Sequence, residues 1–158
     1  SQAIVQQLLD REAQRGVPPG RTVLMGFSQG CAMTLLAGLR APQRLAGLGA
    51  LSGYLPLAQT TGPERSPLNH DTPVFMAHGN FDDIVVLARG EAARDTLTAL
   101  GQPVQWHHYP MGHEVCMEEV ADLNAWLVQR LAAGSDHPLM MTVPESEYLK
   151  GVWLRRVR

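Results

Sequence analysis

The chain has 158 residues, of which 45% are hydrophobic and 18% charged, with a formal net charge of -2. That length suits about one domain, the charge balance gives no reason to expect nucleic acid as a partner, and no apolar run approaches the roughly 20 residues of a membrane-spanning helix. Cys31 and Cys116 are too few for a disulfide framework and lack a CxxC spacing, so each reads as a small packed residue in a reducing, cytoplasmic setting.

The start, Ser1 to Gln6, lacks a basic stretch followed by a long apolar core, so a helix is expected there rather than a signal peptide. Ile4, Val5, Leu8 and Leu9 recur at helical spacing, and Arg15 to Gly20, with two prolines, stop that helix near Gln14. Thr22 to Met25 is short and apolar, as in a strand buried on both faces of a parallel sheet. Cys31 to Arg40 then carries an apolar stripe at Ala32, Leu35, Leu36 and Leu39. A second buried strand is expected over Leu45 to Leu51, an irregular loop over Ala58 to Asp71, and a third strand over Pro73 to Ala77. Leu87 to Leu100 reads as a helix closed by Gly101 and Pro103, and Val104 to Tyr109 as a fourth strand. The last helix ends by Gly134, with Val120, Leu123, Leu127 and Leu131 on one face. Alternation of this kind predicts a parallel sheet covered by helices.

Between the first strand and its helix stand Gly26-Phe27-Ser28-Gln29-Gly30. A serine hydroxyl is a weak nucleophile until a base takes its proton, and a sharp turn between strand and helix presents it to one. A side chain at Gly26 or Gly30 would press on the turn or on the helix behind it. Taken by themselves these five residues also fit a plain Gly/Ser-rich turn. The two later junctions decide between the readings, because His78-Gly79-Asn80-Phe81-Asp82-Asp83 follows the third strand and Pro110-Met111-Gly112-His113 the fourth. Parallel strands end on one edge of the sheet, so Ser28, Asp82 and His113 converge there in the chain order of an α/β-hydrolase.

These stretches, with Leu51-Ser52-Gly53-Tyr54-Leu55-Pro56 and Tyr109 to Val115, resemble the carboxylesterase and phospholipase group of α/β-hydrolases, which includes the acyl-protein thioesterases. Tyr109 to Val115 looks especially like bacterial members. The resemblance runs from about Ser1 to Leu131 and implies the α/β-hydrolase fold, a mostly parallel sheet with flanking helices, incomplete at its N-terminus. It implies Ser28 as nucleophile, His113 as general base and Asp82 as the acid; Asp83 is the alternative acid, disfavoured by the spacing after Gly79. The Gln29 amide would give one oxyanion donor. The second lies upstream of the elbow in the family, and nothing in the 27 residues before Ser28 matches it. The chain departs from the family at Cys31, where a second glycine is usual; tighter helix packing is the expected result.

The implied activity is hydrolysis of carboxylic esters with small to medium acyl groups through an acyl-enzyme, with thioesters or lysophospholipids as further substrates. The alternative is an impaired hydrolase fragment acting as an interaction module; a dienelactone-type hydrolase would carry cysteine at position 28. The partner is a small-molecule ester, without stable membrane insertion, and no cofactor is expected. No metal site is expected either, since His78 has no HxH or HExxH neighbour and reads as a brace of the acid loop. His107 and His108 point to opposite faces of their strand. Leu55, Leu57, Ile84 and Val85 either line an acyl pocket or simply pack. Two domains are drawn, 1-134 for the hydrolase portion and 135-158 as a C-terminal extension holding Trp153 and three late arginines, loosely attached and without catalytic role. Without further strands, the elbow strand would offer an exposed edge for self-association or a homodimer.

Overall fold

A computed structural model describes residues 2–132, 139–141, 152–153 and 155–156. Helix α1 covers Gln2–Gln14 and leads through a single 3-10 turn into β1, Thr22–Phe27. Then follow α2 (Gln29–Arg40), β2 (Gly47–Leu51), α3 (Ala58–Glu64), β3 (Val74–Gly79), α4 (Leu87–Ala99), β4 (Val104–Tyr109) and α5 (Met117–Ala132). Three short strands close the described chain: β5 (Leu139–Met141), β6 (Val152–Trp153) and β7 (Arg155–Arg156).

The four longer strands pair in parallel in the order β4-β3-β2-β1. Strands β2 and β3 are buried along their whole length, which explains their continuous apolar runs. Their side chains alternate between two cores. Leu24, Leu48, Val74 and Met76 pack with Val5 and Leu9 of α1, Leu35 and Leu39 of α2, and Ala93 and Leu97 of α4. Val23, Met25, Leu51, Phe75 and Ala77 face the other way, onto Trp126 and Leu127 of α5. Each such leucine, valine or phenylalanine stabilises the fold by roughly 1.5–3 kcal/mol of burial.

Three expectations are corrected. Ala58 to Asp71 is not irregular: it contains α3 and a 3-10 turn at Pro67–Asn69. The Thr60 and Thr61 hydroxyls donate to the Leu57 carbonyl at the start of α3, and Arg40 reaches across from α2 to Glu64 at 2.8 Å and Thr60 at 3.3 Å. Tertiary contacts thus impose a helix on a Thr-, Gly- and Pro-containing segment of poor propensity. On α5, Val120 is exposed while Glu119 is fully buried, so the inward stripe is turned from the one expected.

The edge of β1 is also occupied. Thr22, Val23 and Leu24 pair in parallel with β5, and Met25 and Gly26 pair antiparallel with β6; β5 pairs in turn with β7. These ladders engage the backbone groups that an open edge would leave free. The exposed edge at β1, and with it the loosely attached extension, are corrected to this extent. The remainder of that extension, at 133–138, 142–151, 154 and 157–158, lies outside the described residues.

Candidate active site

The site is built where β1, β3 and β4 end. At the end of β1 the backbone turns sharply: Ser28 adopts φ 59° and ψ -116°, a conformation that is costly for a residue with a side chain. It is held there because the Ser28 amide donates to the Leu51 carbonyl of β2 at 2.8 Å, while α2 starts at the next residue. The close turn also explains Gly26. A Cβ at that position would collide with the Gly30 carbonyl group and come within 2.8 Å of the Cys31 amide nitrogen.

The acid loop leaves β3 and is tied to the base loop by its backbone. Asn80 donates to the Tyr109 carbonyl at 2.8 Å and Phe81 to the Met111 carbonyl at 3.0 Å. Asp82 is buried, and its Oδ1 accepts from the Ile84 and Val85 amides at 2.9 and 2.8 Å. Its other oxygen, Oδ2, accepts from His113 Nδ1 at 2.7 Å. A carboxylate only accepts, so Nδ1 carries the proton and Nε2 is free to accept from Ser28 Oγ, 3.0 Å away. Burial pushes the Asp82 carboxyl up, but the bonds from His113 and from the Val85 and Ile84 amides outweigh it and hold the group below its usual range. Asp82 is thus ionised at neutral pH, facing an imidazole aligned on a hydroxyl.

Ser28, Asp82 and His113 are therefore brought together, and Asp82 rather than Asp83 faces the imidazole. Gln29 is the first residue of α2, where a helix leaves its amides without an intrahelical acceptor. The acyl-pocket residues divide. Leu55 and Val85 are buried in packing, Leu55 also bordering a hollow of about 150 Å³ with Tyr54, Ala58 and Arg89, whereas Ile84 and Leu57 are exposed. His107 stacks on Phe75 with ring centroids 4.9 Å apart, and His108 bonds Asn80 at the surface. Cys31 is buried at the elbow, where burial pushes its thiol up to about 12, so it is inert. Among the described residues no group of three or more His, Cys, Asp or Glu side chains is placed to hold a metal.

Two features were not foreseen. Phe27, inside the elbow motif, packs its ring against the His113 ring, with centroids 4.8 Å apart and planes tilted by 42°. Arg89 lies over the Tyr54 ring at 4.0 Å, joining α4 to the segment after β2. An aromatic residue beside the nucleophile was the available signal for the first; nothing in the sequence marks the second.

A parallel sheet with a serine at a strained strand-helix turn, and an aspartate and a histidine brought to it from the ends of β3 and β4, is the arrangement of an α/β-hydrolase. The chain belongs to the phospholipase/carboxylesterase family, which matches residues 1–130. Acyl-protein thioesterase 1 of Neurospora crassa is 41% identical over 139 residues, covering 86% of this chain and 57% of that protein. A probable carboxylesterase of Oryza sativa subsp. japonica is 33% identical over 133 residues, covering 84% of this chain and 50% of its own length. The crystal structure of Arabidopsis thaliana SOBER1 superposes with a TM-score of 0.78 at 29% identity, over 82% of this chain and 62% of that one. Esterase PE8 gives 0.77 at 32% identity, over 82% and 60%. The chain thus spans little more than half the length of the curated relatives it matches. No helix among the described residues is long and apolar enough to cross a membrane.

Proposed function

We propose that this chain carries the nucleophile, base and acid of a serine hydrolase acting on carboxylic esters of small to medium acyl chains, with thioesters and lysophospholipids as further substrates. The observation that carries the reading is the hydrogen-bonded line from Ser28 through His113 to Asp82, with links of 3.0 and 2.7 Å. His113 Nε2 takes the Ser28 proton as Oγ attacks the carbonyl, and then returns it to the departing alcohol or thiol. Asp82 keeps the imidazole in the required tautomer and stabilises its cation. The Gln29 amide donates to the tetrahedral oxyanion. Water then cleaves the acyl-serine with His113 again as base. Ile84 and Leu57, both exposed, are the residues of the pocket set that would meet an acyl chain; Leu55 and Val85 are buried. The buried, unpaired Cys31 is in keeping with work in the reducing cytoplasm.

The relatives' names add support for esters and thioesters as the substrate class. The alternative reading is an interaction module without turnover. The deciding experiment is hydrolysis of p-nitrophenyl acetate and butyrate together with fluorophosphonate labelling, using Ser28→Ala as control. Turnover and labelling that both vanish in Ser28→Ala are expected. A folded chain that neither labels nor hydrolyses would leave the interaction module.

A further inference from the structure

His78 is the penultimate residue of β3 and is 1% exposed. Its Nε2 lies 2.6 Å from the Val85 carbonyl oxygen. A carbonyl only accepts, so Nε2 bears a proton and donates it. The same Val85 donates its amide to Asp82 Oδ1 at 2.8 Å, and His78 Nε2 lies 3.6 Å from Asp82 Oδ2, beyond hydrogen-bond distance. The imidazole therefore braces the residue that orients the carboxylate and packs close to the carboxylate oxygen that receives the His113 bond. Its opposite edge rests on α4. A Cβ built at Gly90 would lie 2.5 Å from His78 Nδ1 and 3.1 Å from Cγ and Cε1, well inside contact distance. Glycine is a poor residue for a helix interior, and here it makes room for the ring.

We propose that His78, seated against Gly90 of α4, is a positioning residue that holds Asp82 in register with His113. This rests on the Ser28-His113-Asp82 reading above. The polar groups shown against the His113 ring are Asp82 from the acid loop and Ser28 Oγ from the elbow, with the Phe27 ring beside it. Loosening Asp82 frees the imidazole to leave its line with Ser28 Oγ, which slows proton transfer more than it weakens substrate binding.

The test uses His78→Ala, His78→Gln, Gly90→Ala and the His78→Ala/Gly90→Ala double variant of the whole chain. kcat and KM on p-nitrophenyl butyrate are measured at fixed pH, and the His113 Nδ1 proton is followed by NMR. Misplacement on the ångström scale costs up to about 100-fold, so His78→Ala is expected to lower kcat by about 10- to 100-fold with KM little changed. The His113 Nδ1 proton signal, held downfield by the bond to Asp82, moves upfield or broadens away. His78→Gln, which keeps a donor for the Val85 carbonyl, recovers most of the loss. Gly90→Ala reproduces the defect while His78 is present and adds nothing once His78 is alanine, because the ring it strikes is gone. If His78→Ala fails to fold, the Gln variant and Gly90→Ala still carry the comparison. Independent, multiplying effects of the two sites would overturn the proposal. So would a kcat loss with the His113 Nδ1 proton unmoved. A wild-type chain without turnover or labelling would instead refute the hydrolase reading, while that proton would still report on His78.

Discussion

Replacing Glu119 by glutamine should stabilise this chain at pH 8 and leave it unchanged near pH 4. Glu119 sits on α5 with no exposed surface, and neither carboxyl oxygen has a hydrogen-bond partner among the described residues. Burial pushes its pKa from the usual 4.5 up to about 7. Between those values the native state keeps a proton that the unfolded chain has released, so stability falls as pH rises through that window and is flat above it. At roughly 1.4 kcal/mol per pH unit the span corresponds to about 3 kcal/mol, and relaxation around the charge brings the expected gain to about 1–3 kcal/mol. Urea unfolding of wild type and Glu119→Gln from pH 4 to pH 8 isolates the effect, because other titrating groups cancel in the difference. The gain should be absent at pH 4, grow through pH 5 to 7 and then level off, with a Tm rise on the order of 5 °C at pH 8. A glutamine variant less stable than wild type at pH 8 would refute the reasoning, since it would mean that the carboxylate has a favourable partner.

Asn69→Ala should cost about 3–4 kcal/mol in chemical unfolding. The buried Asn69 side chain accepts from the Leu45 amide and the Thr72 hydroxyl and donates to the Ala41 and Gln43 carbonyls; a loss under 1 kcal/mol would contradict that network. Gly26→Ala drives a methyl group into the Gly30 carbonyl, so fluorophosphonate labelling of Ser28 should fall by at least about 100-fold together with thermal stability; wild-type labelling would show that the elbow tolerates the methyl. Removing residues 133–158 takes away the ladders on Thr22 to Gly26, so light scattering should show larger species than for the full chain, and amides of β1 should exchange faster; unchanged mass and protection would speak against the edge pairing.

What was legible in the sequence was what local chemistry marks. Gly101 and Pro103 bracket the end of α4, and β4 falls on Val104–Tyr109 as its β-prone run suggests. The site was legible for a topological reason: parallel strands place their ends on one edge, so three chemistry-bearing junctions in order had to meet. The failures lie where distant residues override local preference. Helix α3 owes its form to Arg40 and the Leu57 carbonyl, neither of which a composition of Thr, Gly and Pro announces. On α5 the inward positions are Glu119, Leu123, Trp126 and Leu127, a regular stripe at i, i+4, i+7 and i+8 whose first member is a carboxylate. Val120 also stands at helical spacing from Leu123 and Leu127, so periodicity could not choose between it and Glu119, and hydrophobicity pointed to the wrong one. Gly90 offered a comparable clue, a glycine where an amphipathic helix prefers alanine. Its cause is the His78 ring, 12 residues earlier in the chain and on another element, so the sequence could show that something needed the space but not what filled it.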